Sequence, residues 1–259
     1  MKFESLSLCK PLLRSVQDAG YQNATAIQQE AIPHILKGRD LVGCAQTGTG
    51  KTAAFTLPTL QQLMGSSAKI SKQPSKPSRS QRRIIRCLIL APTRELAGQI
   101  GDSLATYGRF TELRQTVIFG GVKQGPQVRA LQAGIDILVA TPGRLLDLVG
   151  QGFVKLSDVE ILILDESDQM LDMGFIQDLR KIVAQIPKQR QTLMFSATMP
   201  PAIRKLSQQW LRKPVEIQAT PVASTPQTVS QSVYFVERQH KTETLRRFLL
   251  EIKHSKALV

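Results

Sequence analysis

The stretch Ala45-Gln46-Thr47-Gly48-Thr49-Gly50-Lys51-Thr52 holds the most chemistry in this sequence. It lies between an apolar run, Asp40 to Ala45, and a helix-compatible run, Ala53 to Leu63. Strand, tight glycine turn and helix are the parts of a phosphate-binding loop. Without a Cβ at Gly48 and Gly50, the backbone can curl until successive N–H groups and the positive helix N-terminus face an anion. Lys51 then reaches the β and γ phosphates of a nucleotide, and the Thr52 hydroxyl ligates the accompanying Mg²⁺. Ala45 stands where the pattern G-x-x-x-x-G-K-[ST] has its first glycine, which requires a negative φ there. A glycine turn with a surface lysine is the plainer reading of this stretch taken alone.

A second reactive stretch, Asp165-Glu166-Ser167-Asp168, ends the most apolar run of the chain, Ile161 to Leu164. A carboxylate at a strand end opposite Thr52 holds Mg²⁺ through water, which makes Asp165 the metal partner of the phosphate loop. Glu166, an acceptor beside the metal, is placed to orient or deprotonate an attacking water. Either acid singly could simply cap the next helix; together with a glycine loop they favour the metal site. Gln28 follows Gly20-Tyr21, and an isolated Phe3 precedes both. A side-chain amide can donate to and accept from an adenine edge, and an aromatic can stack on its face. From the residues alone, Gln28 reads as an ordinary polar residue at a helix start.

These groups need a scaffold, and the pattern supplies one. Residues 5 to 19 read as a short helix with Leu8, Leu12, Leu13 and Val16 on one face, and a second amphipathic run follows from Gln29 to Leu36. From Ile84 onward strands alternate with helices: Ile84 to Leu90, Val117 to Phe119, Ile135 to Val139, Ile161 to Leu164 and Thr192 to Phe195. Several are continuous apolar runs, as expected of strands covered on both faces. The fold class is therefore α/β, a mostly parallel sheet with helices on both faces. In such folds function sits at the carboxyl ends of the strands. Pro92-Thr93-Arg94, Gly120-Gly121, Thr141-Pro142-Gly143-Arg144, Asp165-Glu166 and Ser196-Ala197-Thr198 all fall there.

With 42% hydrophobic residues, the 259 residues can build a real core for one large domain or a domain and a half. Lys and Arg exceed Asp and Glu by 34 to 20, a net charge of +14, which points to a polyanionic partner without proving one. Much of the excess lies in residues 65 to 86, where Lys69, Lys72, Lys76, Arg79, Arg82, Arg83 and Arg86 face no acidic residue. That segment reads as a surface loop, either touching phosphates or merely solvated. Cys9, Cys44 and Cys87 show no metal spacing and suit the reduced, packed thiols of a cytoplasmic protein. Glu4 and Lys10 interrupt any signal-like region, and no run reaches the ~20 apolar residues of a membrane span.

Phe3, Gly20-Tyr21 to Gln28, AQTGTGKT, PTRELA, Gly120-Gly121, TPGR, DESD and SAT occur in an order that resembles the DEAD-box RNA helicases of superfamily 2, with the bacterial RhlE-like branch nearest. The resemblance covers residues 1 to about 220 and implies a RecA-like domain using ATP and Mg²⁺. Residues 1–29 would form an adenine-recognition segment in which Gln28 reads adenine with Phe3 and Tyr21 nearby, and 30–219 the ATP-binding domain. Lys51, Thr52, Asp165 and Glu166 would carry the ATP chemistry, with Ser196 and Thr198 coupling nucleotide state to RNA. Pro92, Thr93, Arg94, Gly120, Gly121, Thr141, Gly143 and Arg144 would line a single-stranded RNA path through sequence-independent backbone contacts. Implied partners are RNA and the proteins of ribonucleoprotein or ribosome assembly, not a membrane.

Departures from the family pattern carry expectations of their own. Ser167 replaces the alanine of DEAD, small for small, so activity should survive. Ala24 and Ala26 stand where the family has prolines, which should loosen the loop presenting Gln28, and Gln169 replaces an arginine. Family members have a second RecA-like domain whose His-Arg-x-Gly-Arg-x-x-Arg motif reaches the γ-phosphate. Here residues 220–231 read as a linker and 232–259 as the incomplete start of that domain: a strand at Val233 to Val236 and a helix from about Lys241 to Ile252. So short a piece should dock, pair between chains or stay poorly ordered. The alternative to a helicase is thus a nucleotide- and RNA-binding module with little turnover.

Overall fold

A computed structural model of the chain describes residues 1–70, 83–218 and 232–251, the stretch 66–70 by its backbone alone. The chain divides into two compact units, Met1–Pro221 and Val222–Val259. The first unit opens with a 3₁₀ turn, Phe3–Leu6, which buries both of those residues. Helix α1 then spans Lys10–Asp18, a later start than residue 5. Ser7 at φ 58° turns the chain out of helical geometry, and Pro11, lacking an N–H, suits only a first turn. Helix α2 (Ala26–Leu36) starts earlier than Gln29, so Gln28 falls inside its first turn.

Strand β1 (Leu41–Cys44) leads through the phosphate loop into α3 (Lys51–Ile70), which continues beyond Leu63 into the basic stretch. Residues 71–82 of that stretch lie outside the described residues. At its far end the surface-loop expectation fails. Arg83 reaches Asp136 at 2.6 Å, and the buried Arg86 lies 3.6 Å from the same carboxylate and donates to the Leu63 carbonyl at 3.0 Å. A carboxylate at the mouth of the sheet draws these two guanidiniums inward, because an unpaired buried charge is costly.

The remaining elements follow as β2 (Cys87–Leu90), α4 (Arg94–Tyr107), β3 (Gln115–Ile118), α5 (Gln124–Gln132), β4 (Ile137–Ala140), α6 (Pro142–Gly150), β5 (Ile161–Leu164), α7 (Ser167–Asp172), α8 (Ile176–Val183), β6 (Gln191–Ser196), α9 (Pro201–Trp210) and β7 (Val215–Gln218). All seven strands are parallel, in the order β3-β4-β2-β5-β6-β1-β7. Edge strand β7 carries too little apolar character to be read as a strand from sequence; pairing with β1 creates it.

Both sheet faces are covered. Cys87 and Ile89 of β2 join the core under α1 to α4, while Leu88 and Leu90 join the core under α6, α8 and α9. Phe55 and Phe195, both fully buried, tilt against each other with ring centroids 5.3 Å apart. Each side chain of this size contributes roughly 1.5–3 kcal/mol by leaving water. Cys44 and Cys87 are buried free thiols, their pKa values pushed up by burial, as packing residues should be.

In the second unit, 232–251 form a 3₁₀ turn, Arg238–His240, and helix α10 (Lys241–Glu251). Tyr234 packs edge-on to Phe248 at 5.4 Å. Val233 to Val236 form no strand with any of the described residues, and 220–231 lie outside those described. Among the described residues, no helix is long and apolar enough to cross a membrane.

Candidate functional site

Strand order sorts the motifs into two neighbouring groups. β1, β6 and β5 lie side by side and end respectively in the phosphate loop, Ser196-Ala197-Thr198 and Asp165-Glu166. β2, β4 and β3 lie beside them and end in Pro92-Thr93, Thr141 and the loop carrying Gly120-Gly121. Parallel pairing puts every one of these ends on the same edge.

At the first group a cleft of about 430 Å³ is lined by Phe3, Tyr21, Thr25, Gln28, Thr47, Gly48, Gly50, Lys51, Thr52, Tyr107, Asp165 and Glu166, among others. Ala45 avoids a positive φ, as the loop requires, and its N–H donates to the Ser196 carbonyl at 3.0 Å. Thr49 closes the turn by donating its hydroxyl to the Gln46 carbonyl at 2.7 Å. The buried Lys51 ammonium donates to the Ala45 carbonyl at 2.9 Å, inside the loop, a bond that an incoming phosphate can replace. Gln28 spans segment and loop. Its carbonyl oxygen accepts from the Thr25 N–H at 2.9 Å, and its Nε2 donates to the Gly50 carbonyl at 3.1 Å. One amide N–H and one lone pair remain for a ligand. Gly50, at φ 92°, is required here: a Cβ would sit 2.4 Å from the Gln28 Nε2.

Asp165 is almost wholly buried. Burial pushes its carboxyl up to about 6; Lys51 pulls it back, Glu166 pushes it further up, and the Glu166 N–H, donating at 3.0 Å, lowers it. A buried carboxylate lining the same cleft as the Thr52 hydroxyl suits a hard cation that takes oxygen ligands and keeps several waters. Glu166 sits at φ 50°, left-handed for a non-glycine residue, and accepts from the Thr47 hydroxyl at 3.1 Å. Such a conformation is held by its surroundings at a cost of roughly 1–2 kcal/mol.

The second group frames a groove of about 590 Å³. Pro92, Thr93, Arg94, Gly120, Gly121, Thr141, Gly143 and Arg144 line it together, so one loop and the starts of two helices, α4 and α6, converge there, joined by Met173 and Phe175. Gly121, at φ 78°, leaves room for the Arg94 guanidinium, which a Cβ would approach to 2.9 Å. Thr93 caps α4 by accepting from the Leu96 N–H at 3.2 Å. The two arginines differ. The Arg94 side chain is 54% exposed, whereas Arg144 is 12% exposed and bonded within the fold.

A family model described as DEAD/DEAH box helicase matches residues 25–206. The chain belongs to this family. It is 41% identical over 249 residues to the DEAD-box ATP-dependent RNA helicase CshA of Streptococcus pneumoniae, covering 96% of this chain and 45% of that protein. It is 43% identical over 248 residues to the ATP-dependent RNA helicase DeaD of Escherichia coli strain K12, covering 95% and 37%. The chain therefore spans less than half the length of these relatives. The crystal structure of a DEAD box protein from Methanococcus jannaschii aligns with a TM-score of 0.74 at 34% identity, over 96% of this chain and 63% of that one. A hypothetical ATP-dependent RNA helicase from Sulfolobus tokodaii aligns at 0.70 and 35%, over 81% and 56%.

In this DEAD-box domain Ser167 is buried and donates to the Phe195 carbonyl at 3.1 Å, so a hydroxyl fits the alanine position without an unmet polar atom. The loop before Gln28 is not loosened by Ala24: its N–H donates to the Met1 carbonyl at 2.9 Å, a bond no proline could make, and its own carbonyl accepts from Gln29 at 2.7 Å. Tyr107 escaped the sequence reading. It lines the cleft on α4, and burial foremost, with the Tyr21 phenol beside it, pushes its phenol up to about 12. Asp168 was marked only as part of the Asp165-Glu166-Ser167-Asp168 stretch, without a role of its own, and Gln127 escaped the reading because a lone mid-helix glutamine carries no signal.

Proposed function

We propose that this chain carries the nucleotide- and RNA-engaging domain of an ATP-dependent RNA helicase, coupling ATP hydrolysis to the remodelling of RNA duplexes or ribonucleoproteins. One observation carries the reading. The cleft holding Gln28, Lys51, Asp165 and Glu166 and the groove holding Arg94 and Gly121 open on one edge of one sheet, with the end of β6 among the cleft strands.

The phosphate loop wraps the triphosphate with its N–H groups, and Lys51 leaves the Ala45 carbonyl to neutralise the β and γ oxygens. Gln28 offers its free N–H and lone pair to the adenine edge, with Phe3, Tyr21 and Tyr107 closing the site. Thr52 and Asp165 would hold Mg²⁺, which when bound offsets phosphate charge. Glu166 orients the attacking water and takes its proton. Ser196 and Thr198, bonded to the segment after Glu166, pass the nucleotide state onward. In the groove, Arg94 and the turn amides meet ribose phosphates without reading bases. The RNA and its protein companions in ribonucleoprotein or ribosome assembly, and a cytoplasmic setting, belong to the same proposal.

The test is Glu166→Gln in this chain joined to a second RecA-like domain. It should keep ATP and RNA binding and lose RNA-stimulated hydrolysis by at least roughly a hundredfold. Unchanged turnover would show that another group handles the water. A second reading applies to these 259 residues alone: a binding module with slow turnover, because they contain no His-Arg-x-Gly-Arg-x-x-Arg run. Arginines at a γ-phosphate are worth roughly 10³–10⁵ in rate in related NTPases. RNA-stimulated ATPase of the 259-residue chain at full rate would overturn this second reading.

A further inference from the structure

Arg144 lines the groove, yet its guanidinium is turned inward. Nη1 donates to the Gln127 Oε1 at 3.3 Å, Nη2 to the Val122 carbonyl at 3.2 Å, and Nε lies 3.6 Å from Asp147. Gln127, buried on α5, donates through its Nε2 to the Phe119 carbonyl at 3.1 Å. Phe119 and Val122 are the two residues flanking Gly120-Gly121. The pair Gln127–Arg144 therefore holds the carbonyls on both sides of the glycine turn, one through each side chain, and ties both to the start of α6.

We propose that Arg144 and Gln127 are positioning residues that bracket the Gly120-Gly121 turn, and that Arg144 does not itself neutralise an RNA phosphate. This rests on the RNA reading of the groove given above. The physical case is one of commitment. A guanidinium 12% exposed, holding a carbonyl, an amide oxygen and a neighbouring carboxylate, must break those contacts to reach a phosphate. Arg94 lines the groove at 54% exposure, and among the described residues its one ion-pair partner is Glu95, at 3.7 Å. Without the bracket, a two-glycine turn has wide conformational freedom, and its amides lose their aim.

Two measurements on the full 259-residue chain decide it. The first is binding of a fluorescently labelled poly-uridine oligoribonucleotide across a range of salt. Arg94→Ala should flatten the log affinity against log salt line by about 0.7, the value of one phosphate contact on a single strand. Gln127→Ala, Arg144→Ala and Arg144→Lys should each weaken binding roughly fivefold with the slope unchanged, since one positioning hydrogen bond is worth about that much. Gln127→Ala added to Arg144→Ala should cost nothing further. A flattened slope for Arg144→Ala, restored by Arg144→Lys, would overturn the proposal, because charge alone would then suffice.

The second measurement needs no RNA. Amide hydrogen exchange at Gly121 and Val122 should accelerate at least tenfold in Gln127→Ala and Arg144→Ala and stay unchanged in Arg94→Ala. Equal protection in all three variants would overturn the bracket. If the wild-type chain bound no RNA, the RNA reading would fall while exchange still decided the bracket.

Discussion

The Asp168 carboxylate accepts both the hydroxyl and the backbone N–H of Thr198, each at 2.8 Å, while its own N–H donates to the Ser196 hydroxyl at 3.2 Å. Three hydrogen bonds thus lock the turn after β5 to the turn after β6. Burial alone would raise the Asp168 pKa, but the Thr198 hydroxyl and N–H, with Ser196 and Gln169, hold it below the ordinary value. A carboxylate depressed in the folded chain stabilises the fold above its unfolded pKa of 3.8 and loses that contribution as pH falls through the folded value. Thr198→Val should therefore destabilise the chain at pH 7 by about 1 kcal/mol, and the deficit should shrink below pH ~4. Denaturant titrations at both pH values check this; a deficit independent of pH would show that Thr198 acts by packing alone.

Gln28 should set the nucleotide preference of the cleft. The chain should bind ADP more tightly than GDP, and Gln28→Ala should erase the difference. Gly50→Ala should weaken both nucleotides by roughly tenfold or more, since it strains a left-handed position and drives a Cβ into the Gln28 amide. Equal affinity for ADP and GDP in the unaltered chain, measured by titration calorimetry, would remove Gln28 from base recognition.

Asp165 should respond to pH in the opposite sense from Asp168. Its folded pKa is raised from 3.8 to about 6, so its ionisation works against the metal-free fold, a cost absent below pH ~4 and fully present above ~6. Asp165→Asn should thus stabilise the metal-free chain at pH 8, by on the order of 2 kcal/mol, and be near neutral at pH 4. Adding Mg²⁺ and ADP at pH 8 should raise the melting temperature of the original chain more than that of the variant. Stabilisation of both by the same amount would exclude Asp165 as a metal partner.

Arg86 is a structural residue despite its place in a basic stretch. Arg86→Ala leaves the buried Asp136 with fewer partners and should cost about 3 kcal/mol, with no change in the salt dependence of RNA binding. A variant of normal stability with a flattened salt slope would return Arg86 to the RNA-binding set.

What the sequence determined by itself was chemistry confined to short spans. The phosphate loop, Asp165-Glu166, the apolar runs of the inner strands and the family all follow from residues within a few positions of one another, because turn conformation, burial period and ligand type are local properties. Helix starts were less legible: the reading from residue 5 passed over Ser7 and Pro11, which delay α1 to Lys10, and α2 begins at Ala26, three residues before Gln29. The tertiary structure decided which of the marked residues face outward. Arg83, Arg86 and Arg144 are basic in sequence and inward in the fold, because Asp136, Gln127 and the Val122 carbonyl lie many residues away along the chain. Strand order likewise brought β6 between β1 and β5, setting Thr198 against Asp168. A hydrogen bond's partner is fixed by where parallel strands are laid down, and no local pattern encodes that.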